Sequence, residues 1–115
     1  MEIADIIKLL SNKKFILNDE KELQKSIENI FISNNVSYER EYVLDKKNRP
    51  DFFIDGIAIE IKIKGGAKAI YKQCERYCGF EKVSSLILVT GRSMGFPSDI
   101  NGKDCYLINL GKAWL

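Results

Sequence analysis

The 115-residue chain contains no histidine, and this absence excludes several kinds of chemistry. Without an imidazole the protein cannot use a Ser-His-Asp or Cys-His nucleophile, a His-ligated zinc ion or a histidine general base. Any catalysis must therefore run on Asp, Glu, Lys, Tyr or Cys, or on a metal ion held by oxygen ligands.

Cysteine and long apolar runs are also scarce. Cys74, Cys78 and Cys105 are an odd number with no disulfide framework, and they are too few for a zinc site that needs four ligands. We expect them to be buried thiols that pack as small hydrophobic groups. The sequence shows no charged-then-apolar leader and no run of the roughly 18 to 20 apolar residues that span a membrane. These features predict a reduced, cytoplasmic protein without a membrane partner.

Charge of either sign is nearly balanced, with 18 Lys and Arg against 16 Asp and Glu and a formal net charge of +2. The total therefore gives no sign of a polyanionic partner, and only the distribution of charge is informative. The only prolines are Pro50 and Pro97, and no linker or repeat divides the chain. We predict one domain over residues 1–115, with residues 1–12 as a helical extension and residues 18–110 as the core.

Hydrophobic periodicity predicts two helices, then strands. Apolar residues recur at helical spacing over residues 3–10, and a second helix begins after Asn18 as its N-cap and ends at Asn34-Asn35. The period then changes to two, which predicts strands over residues 38–44, 51–54 and 57–63. A helix over residues 67–78, a buried strand over 85–90 and a last strand over 105–110 follow. Trp114 and Leu115 would dock either on the domain or on a partner.

The order αα-βββ-α-ββ predicts an α/β (α+β) fold, with a mixed central sheet of about five strands flanked by helices.

The most informative stretch is a predicted hairpin around Asp55-Gly56, a dipeptide typical of two-residue type I′ turns. Its register places Asp51 opposite Glu60, and Arg49 opposite Lys62. Like charges directly opposite each other destabilise a sheet, whereas the other face of the hairpin is uniformly apolar. A divalent cation between the two carboxylates, with phosphate oxygens beside the two bases, would relieve both repulsions. Mg²⁺ suits such a site, although a solvated charged strand face is the simpler alternative.

Pro50-Asp51 followed after eight residues by Glu60-Ile61-Lys62 resembles the motif of the PD-(D/E)XK nuclease superfamily. Gln73 and Tyr77 on the following helix are similar to the Gln-x-x-x-Tyr element of its RecB-like branch. VRR-type modules and Holliday junction resolvases are further relatives that the chain resembles. The resemblance covers roughly residues 18–110 and implies a restriction-endonuclease-like core.

The resemblance also implies roles for individual residues. Asp51, Glu60 and the backbone carbonyl of Ile61 would be metal ligands, and Lys62 would orient or deprotonate the attacking water. Gln73 and Tyr77 would support the site or the phosphate. Glu22 would hold the metal or its waters; Glu20 is the rival, which we place second because it suits the first turn of the helix. Glu39 and Glu41 are further candidates, more simply explained as an exposed strand face.

A row of basic residues could contact a nucleic-acid backbone. Its members are Lys64, Lys68, Lys72 and Arg76, which recur every four residues, and Arg49 and Tyr77 would join them. Surface helices often carry lysines, so the row alone is modest support.

The function expected from these features is a Mg²⁺- or Mn²⁺-dependent nuclease, with DNA as the expected substrate, an endonucleolytic mode of cleavage, and RNA left open. One alternative is a structure-specific resolvase of the Holliday-junction type acting as a homodimer. Another is a non-catalytic nucleic-acid-binding module of the same fold.

Overall fold

Two amphipathic helices open the chain in the computed structural model, which describes residues 2–110. They are α1 (Ile3–Ser11) and α2 (Glu20–Ser33), as predicted. The predicted N-cap Asn18 is wrong by one residue: Asp19 caps α2, because its side chain accepts a hydrogen bond from the Lys21 N–H. The residues Trp114 and Leu115 lie outside the described range.

The first strand is much shorter than predicted. β1 spans Glu39–Arg40 rather than residues 38–44, and Glu41 follows with a φ of 46°. A positive φ at a residue with a side chain takes the chain out of extended geometry, so the strand ends there. The alternation of residue types around it did not reveal this break.

The predicted hairpin register is confirmed where the ladder forms. β2 (Phe52–Ile54) and β3 (Ile57–Lys62) pair Phe52 with Ile59, Phe53 with Ala58 and Ile54 with Ile57. Asp55 and Gly56 have φ values of 47° and 84°, as a type I′ turn requires. The ladder ends at Phe52, however, so the predicted pairs of Asp51 with Glu60 and of Arg49 with Lys62 both lie outside it.

The rest of the chain matches the predicted order apart from one additional strand. α3 (Ala67–Tyr77) and β4 (Ser85–Thr90) lie where periodicity placed them. The predicted last strand is longer, as β6 (Lys103–Asn109), and it forms a hairpin with an unpredicted strand β5 (Asp99–Ile100). Asn101-Gly102 turns this hairpin with two positive φ values, and that dipeptide was the overlooked signal.

The six strands form one mixed sheet in the order β1-β2-β3-β4-β6-β5. β3, β4 and β6 run parallel, whereas β1, β2 and β5 pair antiparallel with their neighbours. The prediction of an α/β (α+β) fold with helices beside a mixed sheet is confirmed, with six strands instead of about five.

Each face of the sheet carries its own apolar cluster. α1 and α2 cover one face, where Phe31 packs edge-on to Phe52 and beside the isoleucines of β3. α3 covers the other face, where Ile70, Cys74 and Tyr77 pack against Ala58 and Leu88. The face that bears Glu60 and Lys62 is therefore not simply a charged surface, because α3 encloses much of it. No helix within residues 2–110 is long and apolar enough to cross a membrane.

Candidate functional site

β2 begins at Phe52, so its ladder with β3 ends at the pair of Phe52 with Ile59. β3 continues beyond this pair through Glu60, Ile61 and Lys62, which leaves a gap in the sheet beside these three residues. We call this position beside residues 60–62 the β3 notch. The Asp51 carboxylate enters it, and Oδ2 accepts a hydrogen bond from the Ile61 N–H at 2.8 Å. A side chain thus takes the place of a strand.

The backbone carbonyl of Ile61 faces the same gap. The N–H and C=O of one strand residue point to the same side, so this carbonyl also turns toward the notch. Extending the hairpin register by two steps places Pro50 opposite Ile61. Proline has no N–H, so position 50 cannot donate a hydrogen bond to that carbonyl.

Glu60 is only 3% exposed and points to the α3 side of the sheet. Its Oε1 lies 3.1 Å from the Tyr77 hydroxyl, which also lies 3.2 Å from the Arg49 carbonyl and donates its single proton to one of these acceptors. The amide of Gln73 donates to the same hydroxyl at 2.9 Å. Gln73 and Tyr77 can make this contact because they are four residues apart on α3, and residues i and i+4 share a helix face.

Lys62 completes the group from the end of β3. Its Nζ lies 3.5 Å from Glu60 Oε2, and the side chain remains about one quarter exposed. Glu60 and Lys62 share a face because they are two residues apart on one strand. The structure therefore brings together Asp51, Glu60, Lys62, Gln73 and Tyr77, five of the residues named from the sequence.

The two carboxyl groups hold their protons more strongly than ordinary acids. Burial, together with the nearby charge of Asp51, raises the pKa of Glu60 to about 8 against the opposing effects of Lys62 and Tyr77. Burial likewise raises the pKa of Asp51 to about 6, opposed mainly by the hydrogen bond from Ile61. Two carboxylates in one poorly solvated place disfavour each other's charge, and a cation between them would reverse that effect.

The helical glutamate that reaches this region is Glu20, whereas we placed Glu22 first. Glu20 Oε1 accepts a hydrogen bond from the Ile63 N–H at 3.1 Å, and its charge acts on Asp51. Glu22 is exposed and lines a different depression, together with Lys14 and Asn29. Residues two apart on a helix point about 200° away from each other, so only one of them can face the notch.

The predicted basic residues are all exposed or partly exposed. They are Arg49, Lys64, Lys68, Lys72 and Arg76. Arg76 has a structural contact, since its Nε donates to Asn48 Oδ1 at 3.1 Å, and Arg49 contributes the carbonyl beside Tyr77. The side chains of Glu39 and Glu41 are exposed as well, although the Glu41 N–H donates to the Asp51 carbonyl at 3.0 Å.

Sequence reasoning missed Arg40, which borders the site from β1. Its guanidinium donates to Glu28 Oε1 at 3.0 Å and to Gln24 Oε1 at 3.1 Å, and it lies 4.9 Å from the centre of the Phe52 ring. Its charge lowers the pKa of Asp51. Only the pairing of β1 with β2 reveals this proximity, because nothing in the sequence links position 40 with position 51.

The cysteines are buried, as expected. Cys78 Sγ lies 3.8 Å from Cys105 Sγ, and burial raises the pKa of the Cys74 thiol to about 12. These neutral thiols belong to the apolar cluster under α3.

The donor set of the notch fits a small hard cation. Within residues 2–110, no group of three or more Asp, Glu or Cys side chains is placed to hold a metal ion. Asp51 and Glu60 are a pair, and the Ile61 carbonyl turns to the same gap. Mg²⁺ is typically held by one or two carboxylates while waters and substrate phosphates complete its octahedron, so a pair is sufficient.

Comparison of the chain with protein-family models, with curated proteins and with solved structures gives no match.

Proposed function

We propose that the protein is a Mg²⁺- or Mn²⁺-dependent nuclease that hydrolyses phosphodiester bonds of DNA, as the resemblance to the PD-(D/E)XK superfamily implies. The observation that carries the proposal is the pair of buried Glu60 and partly buried Asp51, with Lys62 beside it. Burial disfavours the charge of both carboxyl groups, so in their charged form the pair lowers the stability of the fold, even though Asp51 also accepts a hydrogen bond from the Ile61 N–H. This loss of stability is explained if the two carboxylates bind a cation that in turn contacts the substrate.

The chain's own residues would divide the work as follows. Asp51, Glu60 and the Ile61 carbonyl would hold the metal ion, which would lower the pKa of a water molecule and offset charge on the phosphate. The Lys62 ammonium, one strand position beyond Ile61, would stabilise the negative charge that develops on phosphate oxygens. Its 3.5 Å contact with Glu60 holds it at the mouth of the notch.

Hydrogen bonds around the pair would keep the carboxylates in place. The Ile61 N–H fixes Asp51, and the Tyr77 hydroxyl, oriented by Gln73, fixes Glu60. Such outer contacts orient metal ligands and raise metal affinity. Glu20 is anchored on the Ile63 N–H at the end of β3, from where its carboxylate could accept a hydrogen bond from water at the site.

A direct test incubates the purified chain with linear duplex, single-stranded and four-way-junction DNA in Mg²⁺, Mn²⁺ or EDTA. We expect metal-dependent cleavage of at least one substrate, abolished in Asp51→Ala and Lys62→Ala. Glu39→Gln is the matched control, because its carboxylate is exposed and the residue pairs with Phe53, away from the notch. Cleavage in EDTA, or unchanged cleavage by Asp51→Ala, would contradict the mechanism.

A folded, metal-loaded protein that binds DNA but cuts none of these substrates would favour the non-catalytic binding module. Preferential cleavage of the four-way junction by a dimer would favour the resolvase alternative.

A further inference from the structure

A groove on the α2 side of the sheet lies beside the candidate site and has no role in the chemistry described above. It has a volume of about 360 Å³ and runs between α2 and β1. Its lining residues are Lys21, Gln24, Lys25, Glu28, Arg40 and Glu41. We call it the α2–β1 groove.

The groove adjoins Asp51 directly. Arg40 pairs with Phe52, the residue after Asp51, and the Glu41 N–H donates to the Asp51 carbonyl at 3.0 Å. α2 covers the sheet face opposite α3, so the groove and the α3 basic row approach the carboxylate pair from opposite faces. A nucleic acid seated at the notch would therefore pass one of them on each side.

The groove has a small excess of positive charge, which favours an anion, because three basic and two acidic side chains line it. Both carboxylate oxygens of Glu28 already have hydrogen-bond partners: one accepts from Arg40 and the other accepts from the Tyr38 hydroxyl at 2.7 Å. Lys21 and Lys25 lie one helical turn apart, about 6 Å along α2, and neither side chain forms an ion pair within residues 2–110. Glu41 is the one lining acid that does not hold Arg40.

Arg40 is held in place before any ligand arrives. Glu28, Gln24 and the face of the Phe52 ring fix its guanidinium, so little conformational freedom remains to be lost on binding. Its Nε is buried and has no acceptor among the described residues. A ligand in the groove cannot reach this buried N–H, but the Arg40 side chain is 31% exposed and guanidinium groups bind phosphate oxygens well.

We propose that the α2–β1 groove binds a backbone phosphate of the nucleic-acid substrate, through Lys21, Lys25 and Arg40, on the sheet face opposite α3. This inference rests on the proposed function, because it assigns the groove to the same substrate. It makes the substrate interface two-sided: α3 would hold the strand on one side of the scissile phosphate and α2 on the other. Such contacts position the substrate without reading its sequence.

The test measures binding of a fluorescein-labelled duplex and its single strand to the full chain in EDTA, over a series of KCl concentrations. Lys21→Gln/Lys25→Gln removes two charges and keeps good helix formers on α2. Lys8→Gln/Lys14→Gln removes two exposed charges that line other depressions and serves as the matched control. Circular dichroism establishes that both variants are folded.

We expect the α2 double variant to bind about tenfold more weakly, and the slope of log K against log salt to fall by about 1 for each phosphate that no longer has a cationic partner. The control variant should match the wild type. Unchanged affinity and slope in the α2 variant, with weakened binding in Lys68→Gln/Lys72→Gln, would overturn the groove and leave the proposed function standing. Binding of inorganic pyrophosphate that depends on Lys21 and Lys25 but does not displace the DNA would also overturn it. No binding of either nucleic acid by any form, together with no cleavage of either in Mg²⁺ or Mn²⁺, would overturn the proposed function itself, and this inference with it.

Discussion

The Asp51 carboxylate accepts its hydrogen bond from the Ile61 N–H at 2.8 Å, in the position where a neighbouring strand would otherwise pair. This contact links the residue before β2 to the end of β3 and creates the β3 notch. A backbone N–H that is left unpaired inside a protein is costly, so the carboxylate has a structural role as well as its proposed chemical one.

Substitution Asp51→Asn should separate these two roles. The amide oxygen can still accept from the Ile61 N–H, whereas the charge is removed. We expect the melting temperature in EDTA to stay the same or rise, and metal-dependent cleavage to fall by about 100-fold or more. Calorimetry and a cleavage assay measure the two quantities. A large loss of stability with full activity would contradict both assignments.

Stability without metal should fall as the pH rises. The folded state raises the pKa of Asp51 from 3.8 to about 6 and that of Glu60 from 4.5 to about 8, mainly through burial. Between these values the folded protein binds more protons than the unfolded chain, so the free energy of unfolding decreases with increasing pH. The melting temperature in EDTA should therefore be higher near pH 5 than near pH 8.

The chain has no histidine, so no imidazole titrates in this window. Adding Mg²⁺ at pH 8 should raise the melting temperature, because the cation binds the folded state alone. The double variant Asp51→Asn/Glu60→Gln should show a flatter pH profile. A melting temperature that rises from pH 5 to pH 8 in EDTA would count against the raised pKa values of Asp51 and Glu60.

The two helical glutamates give a direct comparison. Glu20→Gln removes the charge that faces Asp51, whereas Glu22→Gln removes one that the structure places in another depression. We expect Glu20→Gln to reduce metal-dependent cleavage by about 10-fold to 100-fold and Glu22→Gln to leave it unchanged. The reverse result would restore Glu22 to the site.

Tyr77→Phe tests the support of Glu60. The variant keeps the ring in the apolar cluster but removes the hydroxyl that bridges Glu60, Gln73 and the Arg49 carbonyl. We expect a loss of about 1–3 kcal/mol in stability, because one buried acceptor loses its donor and the Gln73 amide loses its acceptor, and a reduction of cleavage by about 10-fold or more. Gln73→Glu is a second variant that tests this support, because it places a negative charge beside the Tyr77 hydroxyl. Wild-type cleavage in folded Tyr77→Phe would mean that Glu60 needs no such support.

The hairpin turn that sets the register should be sensitive to a side chain at Gly56. Its φ is 84°, and a Cβ there would lie 2.7 Å from Ser84 Oγ. Gly56→Ala should therefore destabilise the protein by about 1–2 kcal/mol. Gly95→Ala is the control, because no atom lies within 4 Å of its added Cβ and its φ is not positive. Equal effects of the two substitutions on urea unfolding would argue against strain at the turn.

Local patterns predicted the elements whose residues carry strong local signals. α1, α2, α3, β4 and the β2–β3 register follow from apolar periodicity and from Asp55-Gly56, because side-chain burial repeats with the period of the element. Of the two-residue strands, β1 was predicted with the wrong extent and β5 was not predicted at all. A strand that short is defined by its partner's hydrogen bonds and not by its own sequence.

The candidate site divides in the same way. Asp51, Glu60 and Lys62 were predicted from the hairpin and the motif they form on it, and Gln73 and Tyr77 only because they resemble the Gln-x-x-x-Tyr element of a known superfamily. Glu20 and Arg40 were not, since their proximity to Asp51 depends on how α2 docks on the sheet and how β1 pairs with β2.

The sequence by itself determined the absence of imidazole chemistry and the register that brings an acid pair to the end of a hairpin, because both depend on residue identity and a two-residue turn. Only the tertiary structure decided that β2 begins at Phe52 and that the Tyr77 hydroxyl contacts Glu60. It also decided that Glu20 faces the notch instead of Glu22. Each of these outcomes depends on packing between elements far apart in the chain. Such packing is fixed by the shape of the two buried clusters and is not encoded in any local pattern.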